Sequence, residues 1–200
     1  MNGTLYDALT WMIERSMLGP LRRELLASLT GAVVEVGAGT GLNFRYYAPE
    51  ARVLAMEPDP SMARRASKRA AAAQAAIELR VGDDAMLETL PPQSVDAVVF
   101  VLVLCTIDDP LRALRRAARV LKPRGRLVVM EHVRSPGRLG RWQDRLAPVW
   151  RRLADGCSLN RDTAALLAQA GFETAGVRER RISRIAPIQH LIVGAAYSRQ

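Results

Sequence analysis

The stretch Glu35-Val36-Gly37-Ala38-Gly39-Thr40-Gly41 decides the fold. It ends an apolar run, residues 32–36, that is typical of a buried strand, and it leads into a helix. Glycine at alternate positions lets the backbone turn tightly and lets a ligand approach main-chain N–H groups without a Cβ in the way. Glu57 follows Gly37 by twenty residues, at the end of the next strand-like run, where a carboxylate can accept hydrogen bonds from both hydroxyls of a ribose. Together they predict a nucleotide-type binding site.

Strand-like and helical patterns alternate along the rest of the chain. Two late runs, residues 172–182 and 190–198, flank a loop at Pro187 and favour an antiparallel pair. The alternation itself favours right-handed crossovers and a parallel sheet. We therefore predict one α/β domain, residues 1–200, with a Rossmann-like, seven-stranded, mostly parallel sheet, helices on both faces and an antiparallel last strand. The other predicted strands are residues 32–36, 52–57, 76–81, 95–103 and 125–133, and the helices between them are 60–75 and 110–121.

Two segments lie outside this alternation. Residues 4–29 predict two helices split at Gly19-Pro20, and residues 138–170 predict further helices. Extra helices at these places would lie over the carboxyl ends of the strands, where open parallel sheets bind ligands. We therefore expect an N-terminal helical lid, residues 1–29, and a helical substrate wall, residues 138–170. The apolar stripe of the first helix leaves contact with a membrane surface open as an alternative; it consists of Leu5, Leu9, Met12, Ile13 and Met17.

Composition narrows the function classes. The chain is 49% hydrophobic and 24% charged, which is typical of a globular domain, and its longest apolar run, residues 97–105, is too short for a membrane span. Its net charge of +9 permits contact with polyanions, but only 5% of residues are aromatic, so we expect no specific nucleic-acid partner. Cys105 and Cys157 are interpreted as free thiols of a reducing compartment. We predict a cytoplasmic protein, with peripheral contact at the inner membrane face left open and no oligomeric state assigned.

The glycine spacing differs from that of a nicotinamide site. The dinucleotide fingerprint G-x-G-x-x-G would place its third glycine at position 42, which is leucine, whereas glycine falls at 41. The pattern E-x-G-x-G-x-G, followed by Glu57, resembles motifs I and II of the class I S-adenosylmethionine-dependent methyltransferases. The resemblance continues at residues 82–85, 102–105 and 119–127.

The resemblance implies S-adenosyl-L-methionine as cofactor and assigns residues to it. Glu35 would support the glycine loop, Asn43 would cap it, Glu57 would hold the ribose and Pro58 would flank the adenine. Asp84 and the Ala85 amide would contact the adenine edge, although Asp83 stays open as a helix cap in that segment. The expected cofactor-binding residues are Glu35, Gly37, Ala38, Gly39, Gly41, Asn43, Glu57, Pro58, Asp84, Ala85, Val103 and Leu104.

A narrower resemblance lies outside the shared core. Residues 101–106, 131–133, 142–146, 155–163 and 171–172 are similar to the small methyltransferase-like family whose animal members are thiol S-methyltransferases. Those animal members begin with a hydrophobic membrane anchor, whereas this sequence begins with the 4–29 helices. The resemblance implies methyl transfer to a small-molecule acceptor, preferentially a thiol. A phospholipid headgroup amine or a quinone precursor at the membrane surface is the alternative.

The acceptor site is the least determined by sequence. His132 and His190 are the candidate catalytic residues, although each could equally serve a structural hydrogen bond at a strand end. We interpret Cys157 as a small buried residue, since direct methyl transfer needs no covalent intermediate, and no metal ligand is assigned. The candidate substrate-binding residues are Tyr6, Trp11, Trp142, Asp155 and Asn160, although aromatic residues at helical spacing are more often simply packed.

Overall fold

The computed structural model describes residues 14–154, 156–182 and 190–198. Eight strands form a single sheet within these ranges, in the order β3-β2-β1-β4-β5-β8-β6, with β7 also paired to β8. All pairs among the first five strands are parallel, and β8 runs antiparallel to β5. The predicted fold class is confirmed. The strands are β1 Gly31–Val36, β2 Ala51–Glu57, β3 Ala76–Val81, β4 Val95–Val101, β5 Leu121–His132, β6 Phe172–Glu173, β7 Val177–Arg181 and β8 His190–Ser198.

The last edge of the sheet is split in two. The sequence predicts one strand over residues 172–182, but β6 and β7 are separate pieces on the same side of β8. Between them the chain turns, and the N–H of Val177 donates to the carbonyl of Thr174 at 2.9 Å. A Cβ on Gly176 would stand 2.5 Å from the carbonyl oxygen of Ala195, so the backbones of β8 and this turn approach more closely than a side chain allows.

Helices flank the sheet, and prolines and aspartates set where two of them begin. Asp59 and Asp109 accept hydrogen bonds from N–H groups of the first turn, and Pro60 and Pro110 open the helices that follow. The second of these helices ends at Val120, one residue before the predicted end, because Leu121 pairs with Val95 and starts β5. The helices are α1 Gly19–Leu26, α2 Pro60–Ala71, α3 Pro110–Val120, α4 Gly137–Leu153 and α5 Thr163–Gln169, with a π-helical turn at Glu14–Leu18 and 3₁₀ turns at Phe44–Tyr46 and Asp84–Thr89.

The core has one layer on each face of the sheet. Ala97, Val99 and Val101 of β4 pack into one apolar cluster, and Val98 and Phe100 pack into the other. A strand covered on both faces explains the unbroken apolar run in the sequence. No helix in the described ranges is long and apolar enough to cross a membrane.

The two extra segments are only partly described. The predicted split at Gly19-Pro20 is wrong within the described residues: the π-helical turn Glu14–Leu18 runs directly into α1, and Leu18 keeps a helical backbone, so the helix changes type there and does not break. Helices α4 and α5 occupy most of residues 138–170, so that segment is helical as predicted. Tyr6, Trp11, Asp155, Pro187 and the apolar stripe up to Ile13 lie outside the described residues, so the predictions made on them stay predictions.

Candidate active site

The glycine loop after β1 has the conformation that its sequence predicts. Gly37, Gly39 and Gly41 all have positive φ, at 69°, 59° and 80°, where a side chain would be strained. A Cβ on Gly37 would collide with the Val103 side chain, and one on Gly41 would stand 2.7 Å from the Phe44 ring. A Cβ on Gly39 would meet no described atom within 4 Å. Two glycines are therefore required by packing, whereas Gly39 faces open space at the carboxyl end of the sheet.

Glu57 ties this loop to the end of β2. Its Oε2 accepts the N–H of Gly39 at 2.8 Å, and its Oε1 accepts the N–H of Asp59 at 2.9 Å. Burial raises the pKa of Glu57, although these backbone N–H groups oppose the shift. Each carboxylate oxygen has a second lone pair, so Glu57 can still accept hydrogen bonds from a ligand.

Glu35 lies beneath the loop in a buried polar network. Asn43 donates to its Oε1 and the Tyr47 hydroxyl donates to its Oε2, both at 2.7 Å. Arg22 of α1 donates to Asn43 Oδ1 at 2.5 Å and to Glu14 at 2.8 Å. Burial raises the pKa of Glu35 to about 7, although the hydrogen bonds from Tyr47 and Asn43 oppose the shift. The network joins the N-terminal helix to the segment that follows the glycine loop. The predicted capping role of Asn43 is wrong, because its side chain makes no cap hydrogen bond and is held instead by Glu35 and Arg22.

The turn after β3 uses its two aspartates differently. Asp83 caps the 3₁₀ turn by accepting the N–H of Ala85 at 2.9 Å. Asp84 pairs with Arg116 of α3 at 2.5 Å. The capping alternative is thus the arrangement present for Asp83, whereas the adenine contact expected of Asp84 stays a prediction. Pro58, directly after β2, and Ala85 are both exposed, but the Ala85 N–H predicted at the adenine edge already donates to Asp83.

Glu131 shapes the turn after β4. Its Oε1 accepts the N–H groups of Val103 at 2.7 Å and Leu104 at 2.8 Å. Leu102 before them has a φ of 57°, a strained value for leucine. Glu131 is fully buried, and burial raises its pKa to about 7, against the effect of His132 and the two N–H groups. The carboxylate therefore fixes the backbone at both residues predicted to reach the methionine end of the cofactor.

Two cysteine thiols and one histidine ring lie close together beside this turn. Cys105 follows β4, His132 ends β5 and Cys157 lies between α4 and α5, and their ligand-type atoms all lie within 4.8 Å of one another. His132 Nε2 is 3.0 Å from Cys157 Sγ. The hydrogen bond from Cys105 lowers the pKa of Cys157, and His132 lowers it further. Burial opposes the charged form of His132, yet the contact with Cys157 raises its pKa overall. The sequence alone does not group these residues, because 27 positions separate Cys105 from His132 and 25 separate His132 from Cys157.

The remaining predicted acceptor residues are spread around this corner. His190 lies at the start of β8, and its Nδ1 is 2.8 Å from the hydroxyl oxygen of Ser135. Asn160 donates to Asp144 of α4 at 3.1 Å, and Trp142 on the same helix is 43% exposed. Arg161, which the sequence analysis did not single out, donates to the carbonyl oxygens of Leu104 and Ile107. The structure thus places His132 against the cysteine pair and His190 against a serine.

Several known proteins are similar to this chain in sequence. Residues 34–129 match the model of the family described as "Methyltransferase domain". The human thiol S-methyltransferase TMT1B is 34% identical over 165 residues, which are 76% of this chain and 67% of that protein. The human thiol S-methyltransferase TMT1A is 34% identical over 175 residues, which are 80% of this chain and 71% of that protein. The chain therefore spans about two thirds of the length of these curated relatives.

The fold is shared with more distant proteins of known structure. The crystal structure of a SAM-dependent methyltransferase from Thermotoga maritima superposes with a TM-score of 0.64, covers 98% of this chain and 96% of that one, and is 21% identical. At that identity the likeness shows the fold alone.

Proposed function

This chain belongs to the S-adenosylmethionine-dependent methyltransferase family of the TMT1 proteins, and from that membership we propose that it transfers a methyl group to the sulfur of a small thiol. The observation that carries the proposal is the 34% identity to the human thiol S-methyltransferase TMT1A across 80% of this chain.

The residues at the carboxyl end of the sheet fit the cofactor. Gly39 leaves the space that a Cβ would fill, so a ligand can lie against its backbone. Glu57 would hold the ribose hydroxyls with the lone pairs left by Gly39 and Asp59. Exposed Pro58 and Ala85 would border the adenine, and Val103 and Leu104 would border the methionine part. We assign Glu35 and Asn43 the indirect role of fixing the loop, since both are buried beneath it.

When bound, S-adenosylmethionine supplies an electrophilic methyl group: the acceptor sulfur bonds to the methyl carbon, the carbon–sulfonium bond breaks, its electron pair stays on the leaving sulfur, and the acceptor proton leaves to water. The task of this chain is to align the reacting atoms, since in-line displacement depends strongly on orientation. Glu131 performs part of that task by fixing the Val103 and Leu104 backbone. Arg161 adds positive charge nearby, which favours an anionic acceptor.

A thiol suits this site better than an amine. A thiol with an ordinary pKa near 8.5 is already a few per cent thiolate at neutral pH, whereas an ammonium near 10 must first give its proton to a placed base. His190 and His132 are the proposed groups around the acceptor, and their contacts are with Ser135 and Cys157. Helices α4 and α5 would form the acceptor wall, with Trp142 and Asn160 on its near side, and residues 1–29 would form the lid.

We propose a cytoplasmic place for this activity and no specific nucleic-acid partner. Two of the arginines make contacts within the protein: Arg69 donates to the carbonyl oxygen of Thr40, and Arg116 pairs with Asp84 and Glu88. That charge contributes to internal contacts. Contact with the inner membrane face is tested by co-sedimentation with phosphatidylglycerol and phosphatidylcholine vesicles; binding to neither removes that role.

The experiment that tests the function follows methyl transfer from labelled S-adenosylmethionine to a panel of small thiols, amines, phenols and phosphatidylethanolamine. We expect labelled thioethers, formed in proportion to enzyme. Labelling confined to amines or to the phospholipid would overturn the thiol assignment in favour of the headgroup alternative. Labelling of no acceptor, with the cofactor bound, would overturn the enzymatic proposal.

A further inference from the structure

Cys105, His132 and Cys157 form a donor set that the methyl-transfer reaction does not itself require. Each comes from a different part of the chain, and the fold brings two thiols and one imidazole nitrogen within 4.8 Å of one another. Thiolate and imidazole are the donors that Zn²⁺ prefers in proteins. The three side chains therefore have both the chemistry and the proximity of a metal site.

We propose that these three residues bind one Zn²⁺ ion, and that the fourth coordination position receives the acceptor thiol as its thiolate. The zinc site itself depends only on the geometry of the three residues. The binding of the acceptor to zinc rests on the proposed function, because it needs a thiol acceptor.

The distances suit a tetrahedral ion. Zn–S bonds of about 2.3 Å and Zn–N bonds of about 2.0 Å place neighbouring ligand atoms roughly 3.5–3.8 Å apart. The 4.8 Å span of the cluster includes this range, and the 3.0 Å contact between His132 Nε2 and Cys157 Sγ must open by only about half an ångström. Rotation about the side-chain bonds of Cys157, which is only partly buried, can supply this change.

The coordination sphere has room for one more ligand. Within the described ranges, no fourth histidine, cysteine or carboxylate joins the group. Three protein ligands with one exchangeable position is the pattern of catalytic zinc, whereas structural zinc has four. The three ligand groups are buried, but Cys157 as a residue is partly exposed, and a thiol would reach the fourth position from its side.

The charges balance on metal binding. Two thiolates and a neutral imidazole around Zn²⁺ make a neutral unit, and the protons of the free cluster leave to water as the metal binds. A thiolate in the fourth position adds one negative charge, next to the Arg161 guanidinium that is anchored on Leu104 and Ile107. Glu131 precedes His132, and its Oε2 is buried with no partner in the described part of the chain. A nearby dication would offset the cost of that burial.

The metal would also explain how the acceptor thiol loses its proton. A thiol coordinated to zinc loses its proton, which goes to water, so no side chain has to accept it. His132 then acts as a metal ligand through Nε2, and the same ion holds the acceptor sulfur at the end of β4 and β5. This links the acceptor class to a structural feature of the site.

The first experiment measures metal on the full chain. The protein is purified under reducing conditions with zinc chloride present, and its metal content is determined by mass spectrometry. We expect one zinc per chain. Cys105→Ser, Cys157→Ser and His132→Gln should each weaken zinc binding by at least about 100-fold, since removing even a supporting outer group costs 10–100-fold. His190→Gln is the matched histidine control and should retain the zinc.

Cobalt substitution makes the test independent of how the variants fold. Co²⁺ added to the metal-free wild-type chain should give thiolate-to-cobalt charge-transfer absorption and the visible bands of a tetrahedral ion. Wild-type protein that takes up neither metal, or that carries a Cys105–Cys157 disulfide under the same reducing conditions, overturns the site. Equal zinc in all four variants also overturns it.

A second measurement separates the two proposals. Addition of 2-mercaptoethanol to the cobalt form should increase the charge-transfer absorption, as one more thiolate binds; an unchanged spectrum overturns the acceptor assignment. Metal binding without methylation of any thiol would refute the proposed function and leave the zinc site standing. Thiol methylation at full rate by chelator-treated, metal-free protein would refute the role of zinc and leave the function standing.

Discussion

Replacement of Glu35 by glutamine should make the protein less sensitive to pH. Glu35 is 1% exposed, and burial raises its pKa from the ordinary 4.5 to about 7. Glutamine has the same shape, and its oxygen can still accept the hydrogen bond from Asn43, while its amide can donate to the Tyr47 hydroxyl. The substitution therefore removes a titrating group and keeps the network beneath the glycine loop.

The size and sign follow from the two pKa values. Between pH 4.5 and about 7, the unfolded chain has lost the Glu35 proton and the folded chain retains it. The unfolded state thus binds fewer protons, so the free energy of unfolding falls as pH rises through this window. A difference of two to three between the pKa values corresponds to roughly 3 kcal/mol over the whole titration, most of which falls between pH 5 and pH 8.

Urea unfolding followed by circular dichroism measures this directly. From pH 5 to pH 8, the free energy of unfolding of Glu35→Gln should rise relative to that of the wild type by roughly 2–3 kcal/mol. Glu78→Gln is the matched control, because the Glu78 side chain is 63% exposed, and its curve should run parallel to that of the wild type. Parallel curves for Glu35→Gln and wild type would show that Glu35 is ionised in the folded protein, and would refute the buried-network account.

Substitutions at three further residues test the backbone around the cofactor. Gly37→Ala should lower the melting temperature more than Gly39→Ala, because a Cβ at position 37 collides with Val103 and a Cβ at position 39 meets no described atom. Gly39→Ala should fold, and calorimetry should show that it binds S-adenosylmethionine more weakly than the wild type. Equal stability losses, or unchanged cofactor affinity in Gly39→Ala, would contradict this. Glu131→Ala should cost at least about 1–3 kcal/mol in urea unfolding, because it leaves the buried N–H of Leu104 and the partly buried N–H of Val103 without an acceptor. Glu131→Gln retains an acceptor and should recover most of that loss; no recovery would refute the role of Oε1.

Local signals in the sequence were sufficient for the sheet and the glycine loop. Period, apolar runs and cap residues act over a few positions. They predicted a mostly parallel sheet and a tight glycine turn after its first strand, where Gly37, Gly39 and Gly41 have positive φ. They missed the split between β6 and β7, because it depends on the close approach of Gly176 to Ala195 across the strand pair.

Side-chain partners between distant elements were beyond sequence reasoning. Arg22 reaches Asn43 only because α1 packs beside the 3₁₀ turn at Phe44–Tyr46, and Tyr47 reaches Glu35 from the end of that turn. Asp84 could be singled out as an acid at a strand end, but its ion pair with Arg116 depends on the position of α3. Contacts of this kind join residues that have no fixed separation in the sequence, so no sequence pattern indicates them.

The cysteine–histidine cluster shows the same limit for chemistry. Metal sites that are recognisable in sequence place their ligands a few residues apart, as in C-x₂-C. Cys105, His132 and Cys157 instead depend on the ends of β4 and β5 and on the loop between α4 and α5. Only the folded chain groups them.

Calorimetric titration of S-adenosylmethionine tests the central claim most directly: that the glycine loop and Glu57 hold the cofactor together. Glu57→Ala removes two charge-assisted hydrogen bonds to a ribose, each worth about 1.5–3 kcal/mol, so affinity should fall by at least about 100-fold. Glu50→Ala, an exposed glutamate before β2, is the matched control and should bind like wild type. Affinity in Glu57→Ala equal to that of wild type, or no binding by the wild-type chain at saturating concentration, would contradict the account.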